Sequence, residues 1–419
     1  MFRMLKSRSA PVKAVVALAL TVFVGMQTLQ LGSVALAAQD PAQVAGNSYQ
    51  AMDAAINAGA VVRHPRAASI NPFALLTPTQ AHTSSSASGA YLYSYDLYRV
   101  QATREWEALH TSDYSAITVH STFHPTSTTV HGSQATVVGD ETLMIDATIQ
   151  IDGRIHAFSA AKQAAMNTLR QNGRLLEAGQ VNEERAIIHH TVTLRSTDNG
   201  WVIEQDTYLD PLVQALSPDH HGIASQPGKA GTRQAHAARL SGTSRLSVQN
   251  ALTIGYHRDA AINYADYWWN SCNPNYTCYM WQGVDCANYV SGAVGDATGG
   301  DLLWDGTWYP DSYAFVNADG LQTYAFYNWA ANAYDSGDYN TAYWLQNQYV
   351  YPGDLLFYDW GYVFGYGAPD TVVDHAAIAV AADVNGNLYA DSHTTNLYHA
   401  YWDLGGGTST HYYFINMAP

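Results

Sequence analysis

Three residues of this chain could do chemistry together: a cysteine at 286 and histidines at 375 and 393. Cys286 stands in the stretch VDCANYVSG, directly after Asp285, and heads an apolar run in which Val290, Ala293, Val294 and Ala297 recur at helical spacing. That pattern puts a thiol at a helix N-terminus, where exposed N–H groups and the positive end of the helix dipole favour thiolate. A thiolate that attacks a carbonyl needs a partner to take its proton and pass it to the leaving group. At ambient pH that partner is imidazole. His375, His393, His399 and His411 all lie downstream, and the last two are read as structural.

The elements that must position these groups form a hairpin. Tyr351-Pro352-Gly353-Asp354 opens one strand, which runs through Phe357. His375 to Ala382 is a second strand, residues 383–387 a turn, and Leu388 to His393 the returning strand. A two-residue turn at Asn385-Gly386 would point the two histidines to opposite faces. A three-residue loop, Val384 to Gly386 with Gly386 left-handed, pairs Asp383 with Asn387 and collects Ile378, Val380, Leu388 and Ala390 on one face. The other face then carries His375, Asp391 and His393, and this is the expected arrangement. It casts Cys286 as nucleophile, His375 as base and His393 as the group that orients the base. Asp391 and Asn396 are alternatives for the orienting role. An oxyanion would be held by the backbone N–H of Cys286, with Gln282 near enough in sequence to add a donor; Asp285 is a further supporting candidate at the site.

The N-terminus predicts export. Arg3, Lys6, Arg8 and Lys13 precede an apolar run from Ala14 to Gly25, and Ala35-Leu36-Ala37 supplies small residues at a cleavage point, so residues 1–37 are expected to be a signal peptide. An oxidising destination makes the odd cysteine count informative. Cys272 and Cys278 flank the turn-forming Asn273-Pro274-Asn275, so a local bridge between them would leave Cys286 free. Three reduced cysteines are the alternative. A formal charge of −16 argues against nucleic acid or an anionic membrane surface as partner.

Composition divides the rest. Residues 38–89, rich in Pro and Ser, are expected to be a linker or pro-segment. Residues 90–211 alternate as strands (117–122, 129–138, 142–151, 186–194 and 201–208) around a helix near 159–177. They form an α+β accessory domain on an antiparallel sheet. Its histidines, His120, His124, His131, His189 and His190, follow no metal-ligand spacing. Its segment NGWVIEQDTYLDP resembles the closing strand of small cone-shaped modules similar to nuclear transport factor folds. Residues 212–251 read as a linker, and 252–419 as a second, strongly aromatic domain. A helix from Asp259 to Asn270 opens it, with Ala261, Tyr264, Ala265 and Trp268 on the core face.

Residues 252–419 resemble the bacterial putative amidase domain family, relatives of NlpC-type and other papain-like cysteine peptidases. YHRDAAINYADYWWN is similar to its opening tyrosine-and-arginine helix, VDCANYVSG to its Asp-Cys-x-Asn box, and YPGDLLFY to its Gly-Asp strand. DHAAIAV and ADSHTTN are similar to its two histidine segments. The family box continues with Gln after Ser, where this chain has Gly292. The resemblance implies a papain-like (NlpC-type) α+β fold with a helix-borne cysteine, amide-bond hydrolysis, and the roles already given to Cys286 and His375.

The expected function is therefore an exported cysteine-dependent amide or peptide hydrolase that works through a thioester on Cys286, with no cofactor. Its substrate would be peptidoglycan peptides or secreted polypeptides. Two rival readings differ in class. A zinc hydrolase would use Asp374, His375 and His393, with Cys286 as a further ligand, although no HExxH-like spacing is present. A wall-polymer binding protein would instead use exposed Trp268, Trp281 and Trp304, with Cys286 buried and inert.

Overall fold

The computed structural model describes residues 40–57, 110, 112–151, 158–198, 200–208, 255–280, 284–359, 372–394, 396–404 and 410–418. The expected signal peptide, residues 58–89, the expected linker 212–251 and Gln282 lie outside them.

The architecture is α+β, built on one eleven-stranded, mainly antiparallel sheet. Its first half is made of long hairpins. Strands β1 (Tyr114–His131) and β2 (Gln134–Ile149) turn at Gly132-Ser133, where Gly132 adopts φ +60°, a left-handed conformation that costs glycine no Cβ clash. The single strand expected over 129–138 is therefore two strands, because β-branched neighbours on both sides mask a short turn signal. Helix α1 (Pro41–Asn57) packs on this hairpin, although the stretch reads as linker or pro-segment. Asp53 accepts hydrogen bonds from the Ser121 N–H and hydroxyl, and the Tyr49 hydroxyl donates to Asp206. Helix α2 (Ala160–Gln171) and the two-residue β3 (Leu175–Leu176) follow. Then come β4 (Val181–Thr197) and β5 (Gly200–Tyr208).

The C-terminal half supplies α3 (Arg258–Trp268), α4 (Cys286–Gly295), α5 (Tyr313–Val316), α6 (Ala318–Asn328), β6 (Ala330–Ser336) and α7 (Tyr339–Tyr349). It ends with β7 (Leu355–Asp359), β8 (His375–Asp383), β9 (Leu388–Ser392), β10 (Asn396–Tyr401) and β11 (His411–Met417). The sheet runs β1-β2-β4-β10-β9-β8-β7-β11-β6, with β3 beside β8 and β5 beside β4. The seam is the pairing of β4 with β10, where Ile187 faces Asn396 and Ala186 faces Leu397. Residues from both expected domains thus meet in one sheet. They also share a core in which Val119, Ile145 and Ile188 join Tyr389, Trp402 and Phe414.

Both faces of the central strands are covered. Ala377, Ala379 and Ala381 of β8 enter the core just named, together with Tyr358. Ala376, Ile378 and Val380 enter a second core, formed with α3, α4 and α6. Every residue of β8 is buried.

Two motifs of the C-terminal half act as fasteners. The Arg258 guanidinium donates to Asp354 at 2.6 Å and to the carbonyls of Pro352 and Met417, while the Tyr256 hydroxyl donates to the Gly353 carbonyl. Asp354 is fully buried, so its charge is compensated by Arg258 and by N–H donors from Tyr351 and Met417. The Gly-Asp pair in YPGD thereby ties the start of α3 to β7 and β11. No described helix is long and apolar enough to cross a membrane.

Candidate active site

Helix α4 is mostly apolar, and all ten of its residues are buried, so it is an internal helix packed under β8. Its first residue is Cys286. The N–H groups of Asp285 and Cys286 both donate to the Thr394 hydroxyl oxygen, at 3.1 and 3.2 Å. Thr394, at φ +87° in the turn after β9, thus caps the start of α4 from a distant segment. Hydrogen bonding from the Ala376 and Ala287 backbone and from the Thr394 side chain acts to lower the Cys286 pKa. Burial nevertheless dominates. It pushes the Cys286 thiol up to about 11, and the neighbouring Asp285 charge adds to the rise. The helix terminus was expected to favour thiolate, but desolvation outweighs it, and at neutral pH the resting group is a thiol.

The disulfide is present between Cys272 and Cys278, with Cα atoms 5.7 Å apart, and Cys286 is free. The loop it closes lies beside the site. Asp285 accepts from the Tyr279 N–H and from the Asn288 side chain through one oxygen, and meets His393 Nδ1 through the other at 2.5 Å.

His393 is enclosed. Its Nε2 lies 2.8 Å from the Trp268 carbonyl at the end of α3, and its ring stacks on Tyr289 of α4 at 4.0 Å. A carbonyl only accepts, so Nε2 carries a hydrogen, and Nδ1 is occupied by the Asp285 carboxyl. Neither ring nitrogen is left to take a proton from Cys286.

The hairpin explains why the two histidines part. The expected three-residue loop is there: the Asp383 N–H donates to the Asn387 carbonyl at 2.9 Å, and Gly386 has φ +85°. Ala382 pairs with Leu388 and Ala381 with Tyr389, but Ala379 pairs with Ala390 and Ile378 with Asp391. Val380 is the extra residue of a β-bulge, and beyond it every side chain of β8 changes face relative to β9. The grouping of His375 with His393, and of Ile378 and Val380 with Leu388 and Ala390, is therefore corrected. His375 pairs with Tyr358, and the two rings lie 5.9 Å apart on the far face from α4. His393 faces α4. What joins β8 to Cys286 is the amide of Ala376, one residue after His375.

The remaining expected residues scatter. Asp391 is fully buried, and its Oδ1 accepts the His399 N–H at 2.7 Å. Asn396 sits at the β4 seam. Asp285 is fully engaged as described. Two residues that motif reading passed over shape the site. One is Thr394, which stands in the histidine segment ADSHTTN without a role assigned to it there. The other is Tyr264, whose hydroxyl would stand 2.7 Å from a Cβ on Gly292. Tyr264 thus fills the space beside the position where the family box has Gln.

Residues 255–415 match the family model described as putative amidase domain. The match spans less than half of the chain. It supports an amidase-like family and hydrolysis of amide bonds as the general activity of this region. Neither a curated protein nor a solved structure matches the chain.

Proposed function

We propose that this protein is an exported, cysteine-dependent hydrolase of amide or peptide bonds, related to papain-like enzymes, that forms a thioester on Cys286. The observation that carries the reading is the position of Cys286: first residue of an internal helix, with its sulfur against the Ala376 amide at the start of the strand that His375 opens. The amidase match over 255–415 supports the class of bond. The basic, then apolar, then small-residue N-terminus supports export, and through it peptidoglycan peptides or secreted polypeptides as substrates.

In this mechanism the sulfur attacks the amide carbonyl as the S–H proton passes to His375. His375 protonates the departing amine as the C–N bond breaks, and water then cleaves the thioester. The step requires the His375 imidazole to leave Tyr358 and turn around the strand end toward Cys286. Catalytic hydrogen bonds often form only with substrate in place. An oxyanion at the Cys286 N–H likewise requires Thr394 to release that donor.

A second reading, wall-polymer binding without catalysis, draws on a different surface. Leu303, Trp304 and Tyr309, between α4 and α5, and Tyr313 at the start of α5 are exposed. The zinc reading gains no support from the geometry, since His375 and His393 lie on opposite faces of the sheet.

The test is cleavage of muropeptides and simple amides by the full chain with iodoacetamide, with chelator, and in Cys286→Ala. Loss on alkylation and in the variant, but not with chelator, supports the thiol enzyme. Loss with chelator alone, or no cleavage of any substrate, rejects it.

A further inference from the structure

We propose that Asp266, Asp391 and His399 form a binding site for a divalent transition-metal ion, with zinc as the best match. The three come from α3, β9 and β10, and one donor atom of each lies within 4.8 Å of the others. They are separate from the residues placed around Cys286, and the inference does not rest on the amide reading.

One donor of the three, Asp391 Oδ2, has no hydrogen-bond partner, and the other two, Asp266 Oδ1 and His399 Nε2, face each other. Asp391 is fully buried; its Oδ1 takes the His399 N–H, and its Oδ2, also buried, has no hydrogen-bond partner. A buried carboxylate oxygen without a donor is costly unless something cationic meets it. Asp266 Oδ2 accepts from the Arg174 guanidinium at 3.2 Å, which turns Oδ1 toward His399 Nε2, 3.0 Å away. Arg174 thus stands where an outer-sphere partner orients a ligating carboxylate.

His399 is placed by a distorted backbone. It has φ +51°, a conformation costly for a residue with a Cβ, and the β9–β10 register shifts between Leu397 and Ala400. The distortion directs the His399 N–H to Asp391 and its ring to Asp266, with the ring stacked on Tyr398 at 4.0 Å. One imidazole and two carboxylates make a three-ligand set that suits zinc with a fourth position for water, whereas magnesium and calcium prefer oxygen alone. A bound ion would displace the hydrogen from Nε2 and tie α3 to β9 and β10.

The experiment uses the full chain, stripped with chelator and dialysed against zinc. One saturable zinc per chain is expected, with a rise in Tm of about 3 °C at a hundredfold excess over Kd. Both are expected to persist in Cys286→Ala, which removes the free thiol as a ligand, and to be lost in His399→Ala. Should His399→Ala fail to fold, Asp266→Asn, at the more exposed edge of the cluster, takes its place with the same expectation. Absence of stoichiometric zinc on the wild-type chain, or binding undiminished in the folded variant, overturns the proposal.

Discussion

Asp285 and His393 are joined by a 2.5 Å contact between Oδ2 and Nδ1, and both side chains are almost fully buried. One belongs to the residue before the helix-borne cysteine, the other to the turn after β9. The pair fixes where α4 begins relative to the sheet.

Replacing His393 by Ala leaves the Asp285 carboxylate buried without its main partner. The expected cost is about 3 kcal/mol of stability, read from denaturant midpoints. Activity should fall in step with the folded fraction and with displacement of Cys286. A His393→Ala protein with unchanged stability and turnover reduced a thousandfold or more (roughly the scale of a lost catalytic base) would instead make the residue part of the proton relay.

The Cys286 thiol, held near 11 by burial, is expected to react with iodoacetamide slowly at neutral pH. Its rate should climb about tenfold per pH unit between pH 7 and 10, in proportion to thiolate. A plateau reached below pH 8, followed by mass spectrometry of the alkylated chain, would show a thiolate already ionised in the resting protein.

Gly292 has no room for a side chain because the Tyr264 hydroxyl occupies it. Gly292→Ala should destabilise by about 1–3 kcal/mol through overpacking. Tyr264→Phe in the same chain should recover part of that loss, since the obstructing oxygen is gone. Additive losses in the double variant, measured by thermal unfolding, would contradict the contact.

Glu184 is buried, and desolvation raises its carboxyl to about 8. The folded protein therefore holds this proton more tightly than the unfolded chain. The group's contribution to stability is complete below about 4.5 and is lost as pH rises through 8. His110, raised to about 9, acts in the same direction above about 6.5, whereas Lys162, lowered to about 7, opposes them from about 7 upward. Glu184→Gln should flatten the decline in Tm between pH 5 and 8. An unchanged slope would place the Glu184 proton on both states alike.

Much of the C-terminal half was legible because its signals are local. Apolar spacing after Cys286 marks α4, Asp383 to Asn387 carries the turn residues of a three-residue loop, and Asn273-Pro274-Asn275 brings Cys272 to Cys278. The faces of β8 were not legible. Alternation of apolar and polar residues marks a strand with one wet face, whereas β8 is buried on both, so Ile378, Val380 and the alanines around them carry no directional information. The bulge at Val380 then reversed the remaining inference about His375.

The amino-acid sequence alone determined the local chemistry: a cysteine at a helix start, a turn able to bring two further cysteines together, a signal-like N-terminus, and the amidase-type order of motifs. Tertiary structure decided which groups meet. It set the Ala376 amide and Thr394 on Cys286, closed His393 between Asp285 and Trp268, turned His375 toward Tyr358, and gathered Asp266, Asp391 and His399. The reason is physical: register slips, bulges and desolvation arise from contacts between segments far apart in the chain, and a single residue of slip reverses every side chain beyond it.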